Sequence, residues 1–309
     1  MTLRGQLPIN GTLFISGAGR IPELRPRFLE SVGGPDARIL TIPSSNDPTQ
    51  SEDSMKGWPI IPEFKEVGVC ELDIEDEDFL KKWNWSVHWF HQMQVPNAAV
   101  LHTADRDVAN SEEFCEHIRK AEGLFFTTGT ASKFVATYRG TKAHEEFIAL
   151  LERGGSIGGW SGGAAIQGAW SADSEVASFI ETMGFLPNTA IMTHFLVWNT
   201  QFFMPKIIEE HPECLGIGLD EKAAIVVQGD EFEVIGSSYV AIYDYNKVLL
   251  PDGKFYLLAS GDRFNLSTRE VIGEPKTYLK QLVNRKWSEI YDENDSNVME
   301  LMRSRSKGE

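Results

Sequence analysis

Cysteine is scarce: Cys70, Cys115 and Cys214 are three in a chain of 309 residues. They are odd in number, far apart and form no C-x-x-C pair, which argues against a disulfide framework or a metal site and for reduced, buried thiols. Long apolar runs are missing as well. None approaches the roughly 18 residues that a membrane span needs, and Met1-Thr-Leu-Arg-Gly-Gln-Leu7 carries no apolar signal stretch. A cytoplasmic protein off the membrane is the expectation. Positive charge is short, with 29 Lys and Arg against 45 Asp and Glu and a formal net charge of −16, which argues against nucleic acid and anionic surfaces as partners. Internal repeats and linker-like stretches are also lacking, so residues 1–309 read as a single domain, long enough to bury a sizeable core.

What is present is an alternation of short apolar runs with helical segments. Thr12–Ser16, Arg38–Pro43, Val67–Leu72, Ala98–Leu101 and Gly123–Thr127 read as buried strands. Arg25–Val32, a segment capped by Asn110 or Ser111 and running to Lys120, and His144–Glu152 read as helices. Such an order predicts an α/β fold with a doubly wound, mostly parallel sheet, whose site lies at the carboxyl ends of the strands. Gly216–Val227, Glu231–Ile235 and Tyr239–Tyr243 predict a small antiparallel extension. Residues 73–97, rich in Trp, read as an elaboration. His88 and His91 within it are a conceivable metal edge, but without a third ligand in reach a packed aromatic helix is the better reading. Gly17-Ala-Gly19 opens like a dinucleotide fingerprint, yet the third glycine is absent and Pro22 interrupts the helix start.

The most informative stretch is Gly159-Trp160-Ser161-Gly162-Gly163, which fits G-x-S-x-G. An apolar approach, Ser156–Gly158, reads as a strand end, and Ala164-Ala-Ile166 reads as a first helical turn. A serine at so sharp a strand-to-helix bend would be strained, with its hydroxyl held clear of the sheet, as nucleophiles are. A seryl nucleophile needs a base, an orienting acid and donors for an oxyanion. His194 ends a short apolar run soon after the bend and is the best base. His144 and His211, set among charged residues, read as structural. Asp173, Glu175 and Glu181 all lie between serine and histidine and stay open as the acid. The N–H of Gly162 and one from the Thr128-Gly129 turn are the candidate oxyanion donors.

Several segments taken together resemble the cyanophycinase and aspartyl dipeptidase (dipeptidase E) family of serine peptidases. They are Gly11-Thr-Leu-Phe-Ile-Ser-Gly-Ala-Gly19, Ala37-Arg-Ile-Leu-Thr-Ile-Pro43, Ala121-Glu-Gly-Leu-Phe-Phe-Thr127, Gly159-Trp-Ser-Gly-Gly-Ala-Ala165, Thr193-His-Phe195, Gly216-Ile-Gly-Leu-Asp-Glu-Lys222 and Gly261-Asp-Arg-Phe-Asn-Leu266. The resemblance runs from about Gly11 to Arg269. It implies a class I glutamine amidotransferase-like (flavodoxin-like) fold, Ser161 as nucleophile and His194 as base. It places the acid fifteen to eighteen residues past the serine. Glu175, one residue short of that window, is the choice on this ground, with Asp173 in reserve. Thr128, Gly129, Thr130 and Thr193 stand where the family carries oxyanion and substrate-binding residues.

The departures are as telling. Phe126-Thr-Thr-Gly-Thr-Ala131 replaces Phe-Thr-Gly-Gly-Asp-Gln, Met192-Thr-His-Phe195 replaces Asp-Gln-His-Phe, and Val197–Phe203 replaces the arginines that follow the histidine. Binding an acidic or β-aspartyl-arginine substrate needs cations or bidentate donors. Lys133 and Arg139 could supply charge, but nothing fixes them in a pocket, so a substrate other than cyanophycin is expected. Trp198, Phe202 and Phe203 would make a more apolar pocket, or pack in a core on a helix. The reading is a serine hydrolase of a small peptide, isopeptide or amide substrate, without metal or organic cofactor, and with a homodimer left open. Two rivals remain: a family member without turnover that binds a ligand or protein, and an α/β-hydrolase esterase. In that second fold the histidine comes near the chain's end.

Overall fold

The computed structural model describes residues 9–43, 90, 93–127, 129–173, 178–198, 200–246 and 255–273. The expected strand at 67–72, the Trp-rich elaboration other than Phe90 and Met93–Asn97, His88, His91 and Cys70 lie outside those residues. In chain order the strands are β1 (Ile9–Ser16), β2 (Ile39–Ile42), β3 (Ala98–Val100), β4 (Gly123–Phe126), β5 (Ser156–Trp160), β6 (Trp170–Asp173), β7 (Ser178–Glu181) and β8 (Thr189–Thr193). They continue as β9 (Leu215–Leu219), β10 (Ala223–Gly229), β11 (Glu231–Gly236), β12 (Val240–Asp244), β13 (Phe255–Leu258), β14 (Arg263–Asn265) and β15 (Glu270–Ile272). Among the described residues they form two sheets. The first has the order β15-β14-β11-β10-β1-β5-β4-β2-β3 and the second β13-β12-β9-β8-β6-β7.

The five strands β3, β2, β4, β5 and β1 pair in parallel, as the alternation of strands and helices predicts. Such strands are covered on both faces, so they read as unbroken apolar runs. In β1 the side chains divide by parity. Phe14 joins Phe28, Phe90 and Phe125 on one face, while Leu13 and Ile15 join Leu124's neighbours Phe126 and Ile157 on the other. The first face is closed by the helix Leu24–Ser31, whose Phe28 sits edge-on to Phe14 and Phe125 at ring-centroid distances of 5.3 and 5.4 Å. Phe28 is fully buried. Phe28→Ala is expected to cost about 3–5 kcal/mol of unfolding free energy, read as a lowered midpoint in urea denaturation.

The second face carries the helices Glu112–Arg119, Ala131–Tyr138 and Lys142–Glu152. Ser111 caps the first by accepting from the Phe114 N–H at 3.2 Å, with Glu112 and Glu113 in the first turn, the arrangement its sequence calls for. His144 is a structural residue of the interior, in line with its reading from sequence. It is buried, accepting from the Gly140 N–H at 3.1 Å through Nδ1 and meeting the Met183 carbonyl at 2.8 Å through Nε2. Lys142 and Glu145 beside it are exposed, while Ala143 is buried and His144 faces Phe185. Burial holds its pKa below the ordinary histidine value. Cys115 and Cys214 are buried thiols, as expected.

The antiparallel part is larger than a small extension. β10, β11, β14 and β15 continue the first sheet beyond β1. β9 and β12, expected to join them, belong instead to the second sheet, where β9 pairs in parallel with β8. Ile191, Ile217, Leu219 and Ile242 of that sheet share a core with Leu13 and Ile15, so the two sheets pack across one apolar layer. Met192, Ala241 and Tyr243 point the other way, against Met204, Ile207 and Ile208 of the helix Met204–Glu210. The run Gly216–Val227 is therefore broken at Asp220–Lys222, where the chain leaves one sheet for the other.

Candidate active site

The elbow has the conformation its glycines allow. β5 ends at Trp160, Ser161 stands at φ 53° and ψ −125°, and a single helical turn, Gly162–Ala165, follows. A non-glycine residue there is strained by a few kcal/mol at most, about 1–3, and keeps the geometry only because its surroundings impose it. Those surroundings are identifiable. The Ser161 N–H donates to the carbonyls of Ser16 and Gly17 at 3.1 and 3.0 Å, and the Ala164 and Ala165 N–H groups donate back to the Ser161 carbonyl. Gly162 must be glycine, because a Cβ there would lie 1.7 Å from the Gly129 carbonyl oxygen.

Three strand ends from the two sheets converge on this bend. Ser161 follows β5 of the first sheet, and His194 follows β8 of the second. Glu221 lies in the crossing from β9 to β10. Ser161 Oγ is 2.8 Å from His194 Nε2, and His194 Nδ1 is 2.5 Å from Glu221 Oε1. Ser161 and His194 are both only 8% exposed, so the contact is shielded from water yet reachable from one side. His194 itself stands at φ 52°, a second non-glycine residue in the left-handed region. The loop behind it is held by Asp220, whose Oδ1 accepts from the Leu196 N–H at 3.1 Å.

Glu221 is brought there by the motif that resembled the start of a dinucleotide fingerprint. Gly17 lies so close to the crossing that a Cβ on it would meet the Asp220 carbonyl oxygen at 2.1 Å. Lys222 N–H donates to the Ala18 carbonyl at 2.6 Å, and Ala18 and Glu221 form a β-bridge. Gly17 thus serves close backbone docking of the Glu221 turn, and Gly19 takes a positive φ of 75° beside it.

Of the acids named from sequence, Glu175 lies outside the described residues, and the carboxylate on His194 Nδ1 is Glu221. Asp173 lines the same cleft as Ser161 but accepts from the Ser132 N–H at 2.6 Å. Glu181 pairs with Arg139 at 2.7 Å, and both line a separate cavity. Glu221 was legible only as the end of Gly216-Ile-Gly-Leu-Asp-Glu. The signal is the same as for His194, a polar group directly after a short apolar run. The signal is masked because the following run, Ala223–Val227, reads as continuous with the one before it.

A cleft of about 1020 Å³ opens on Ser161. Gly129, Thr130, Gly162 and Thr193 line it, whereas Thr128 lies outside the described residues. Trp198 and Phe203 line it as well and are 62% and 44% exposed, so they are wall and not core. The Trp198 indole stacks on the His194 imidazole, with centroids 3.7 Å apart and planes 17° apart. Lys206 and Glu210 stand one helical turn apart at the rim, beside His211, which stacks on Trp170 at 3.9 Å. Lys206 is the cleft's lysine; Arg139 is elsewhere. Among the described residues no cluster of His, Cys, Asp and Glu suits a metal ion, and no helix is long and apolar enough to cross a membrane.

A seryl hydroxyl, an imidazole and a carboxylate thus lie in line at the strand ends of a mixed α/β fold, and the family match places that fold among the peptidases. The chain belongs to peptidase family S51, whose model matches residues 76–235. It is similar to the cyanophycinase of Geminocystis herdmanii (strain PCC 6308), with 26% identity over 273 residues, covering 80% of this chain and 89% of that protein. It is also similar to the cyanophycinase of Thermosynechococcus vestitus (strain NIES-2133 / IAM M-273 / BP-1), with 26% identity over 269 residues, covering 79% of this chain and 74% of that one. The fold is shared with the crystal structure of a peptidase from an acI-B1 Actinobacterium, at a TM-score of 0.60 and 21% identity, covering 86% of this chain and 100% of that one.

Proposed function

We propose that the protein is a serine hydrolase of peptide, isopeptide or amide bonds in which Ser161, His194 and Glu221 act as nucleophile, base and orienting acid. The observation that carries this reading is the unbroken line from Ser161 Oγ through both imidazole nitrogens to Glu221. Ser161 Oγ attacks the carbonyl carbon and its proton passes to His194 Nε2. The N–H groups of Gly162 and Gly129, whose backbones touch, hold the oxyanion. The C–N bond then breaks as Nε2 returns the proton to the leaving amine. Water attacks the acyl-enzyme, gives one proton to Nε2 and frees the acid product, and that proton restores the serine. These steps balance without a metal or organic cofactor.

We read the whole of residues 1–309 as one class I glutamine amidotransferase-like domain acting in the cytoplasm on a small substrate. That substrate is not cyanophycin. Thr130 and Ala131 stand where the resemblance calls for Asp-Gln, and Val197–Phe203 where it calls for arginines, so among the described residues the cleft offers Lys206 and no arginine to such a polymer. The same replacements favour a second reading, a binding module without turnover. Labelling with a fluorophosphonate separates the two. The hydrolase reading expects wild type to react and Ser161→Ala not to, and equal rates would leave only the binding reading. Gly162→Ala is expected to slow labelling by about 100-fold or more, since its Cβ must push the backbones of residues 162 and 129 apart by more than an ångström. Labelling kinetics beside a thermal melt would check this.

A further inference from the structure

The wall that replaces the family's arginines is apolar, exposed and in contact with the reacting groups. Trp198 is 62% exposed and Phe203 44%, although both line the cleft that opens on Ser161. Phe179 and Met192 line the same cleft. Large aromatic surface left to water beside a concave site marks where a ligand's apolar surface goes. The place of this surface relative to the chemistry is set by the Trp198 ring. It lies face to face with the His194 imidazole, whose Nε2 is 2.8 Å from Ser161 Oγ. Whatever packs on Trp198 therefore borders the bond under attack. The charges at the rim do not compete for that position, since Lys206 and Glu210 are exposed, opposite in sign and one turn apart.

We infer that the substrate carries a large apolar or aromatic side chain next to the scissile amide, packed against Trp198 and Phe203, and that these two residues set specificity. The inference rests on the serine-hydrolase reading. Leu196, Val197, Trp198, Phe202 and Phe203 are all exposed, and Trp198 and Phe203 of this segment line the cleft. The part of it that faces the cleft is occupied by substrate, which accounts for exposed rings at a position where arginines would otherwise stand.

The test is a panel of blocked dipeptide amides, Xaa-Ala and Ala-Xaa, with Xaa as Phe, Leu, Met, Gly, Asp or Arg, alongside fluorophosphonate labelling of wild type and Ser161→Ala. Phe, Leu or Met should exceed Asp and Arg by about tenfold or more in kcat/KM in one of the two series, the scale at which apolar pockets discriminate. Phe203→Ala should abolish most of that preference through KM, and Phe203→Leu should restore it, which separates loss of the wall from loss of the fold. If wild type is labelled but Asp or Arg is preferred, or no member is preferred, the inference is overturned while the hydrolase reading stands. If wild type is not labelled, the hydrolase reading fails and the inference falls with it. If Phe203→Ala leaves the preference intact but halves the mass in solution, the patch joins two copies of the chain and the inference is again overturned.

Discussion

Ser161→Ala is expected to lower kcat for amide hydrolysis by about 10⁴–10⁶-fold. That corresponds to roughly 5–8 kcal/mol of transition-state stabilisation. The magnitude follows from the chemistry removed. Without Oγ there is no acyl-enzyme, and His194 can only activate a water that the elbow does not position. Residual rate would come from the Gly162 and Gly129 donors and from substrate binding. The backbone is not expected to change. Alanine is as strained at φ 53° as serine, and the bonds from the Ser161 N–H to the Ser16 and Gly17 carbonyls do not involve the hydroxyl. Substrate affinity should stay within a few-fold and the melting temperature close to wild type. Steady-state kinetics, equilibrium binding and a thermal melt check the three parts. A variant that still hydrolyses at the wild-type rate would remove Ser161 from the mechanism.

Glu221→Gln is the second. The carboxylate accepts the Nδ1 proton, which leaves Nε2 free to accept from Ser161. A glutamine amide can turn its NH₂ towards the ring, so that Nδ1 accepts and the proton sits on Nε2. In that tautomer the imidazole cannot take the serine proton. The expected result is a fall in kcat of about 10³–10⁴-fold with KM within a few-fold. The fold should hold, because the crossing is fixed by backbone contacts of Gly17, Ala18 and Lys222 and not by the Glu221 side chain. Glu175→Gln, made in parallel, is expected to leave kcat nearly unchanged. If Glu175→Gln abolished turnover and Glu221→Gln did not, the acid would be reassigned.

The part of the site legible in the sequence is the part encoded in contiguous residues. Gly159–Gly163 announces its own bend, because glycines are needed where backbones touch, and Gly162 indeed lies against Gly129. His194 was found because it ends an apolar run, β8, at the end of the sheet where such groups collect. Glu221 was missed for a related reason. Its apolar runs on either side, Leu215–Leu219 and Ala223–Gly229, look alike in sequence, and nothing local says that they enter different sheets. Helix Ala131–Tyr138 was likewise missed, since Thr130 offers no capping bond in the structure and its apolar positions are spread by Thr137 and Ser132. Its order comes from burying Phe134 and Tyr138 in the shared core.

Local pattern decided which segments would be strands and helices, where the chain would bend sharply and that a hydroxyl would be presented there. It did so because periodicity, glycine placement and caps act over a few residues. Tertiary structure alone decided which carboxylate reaches His194, that two sheets rather than one share the core, and that Trp198 and Phe203 face the cleft instead of the interior. Each of these depends on which of several similar apolar faces pack together. That choice is set by the summed burial of the whole chain, and no short stretch of residues contains it.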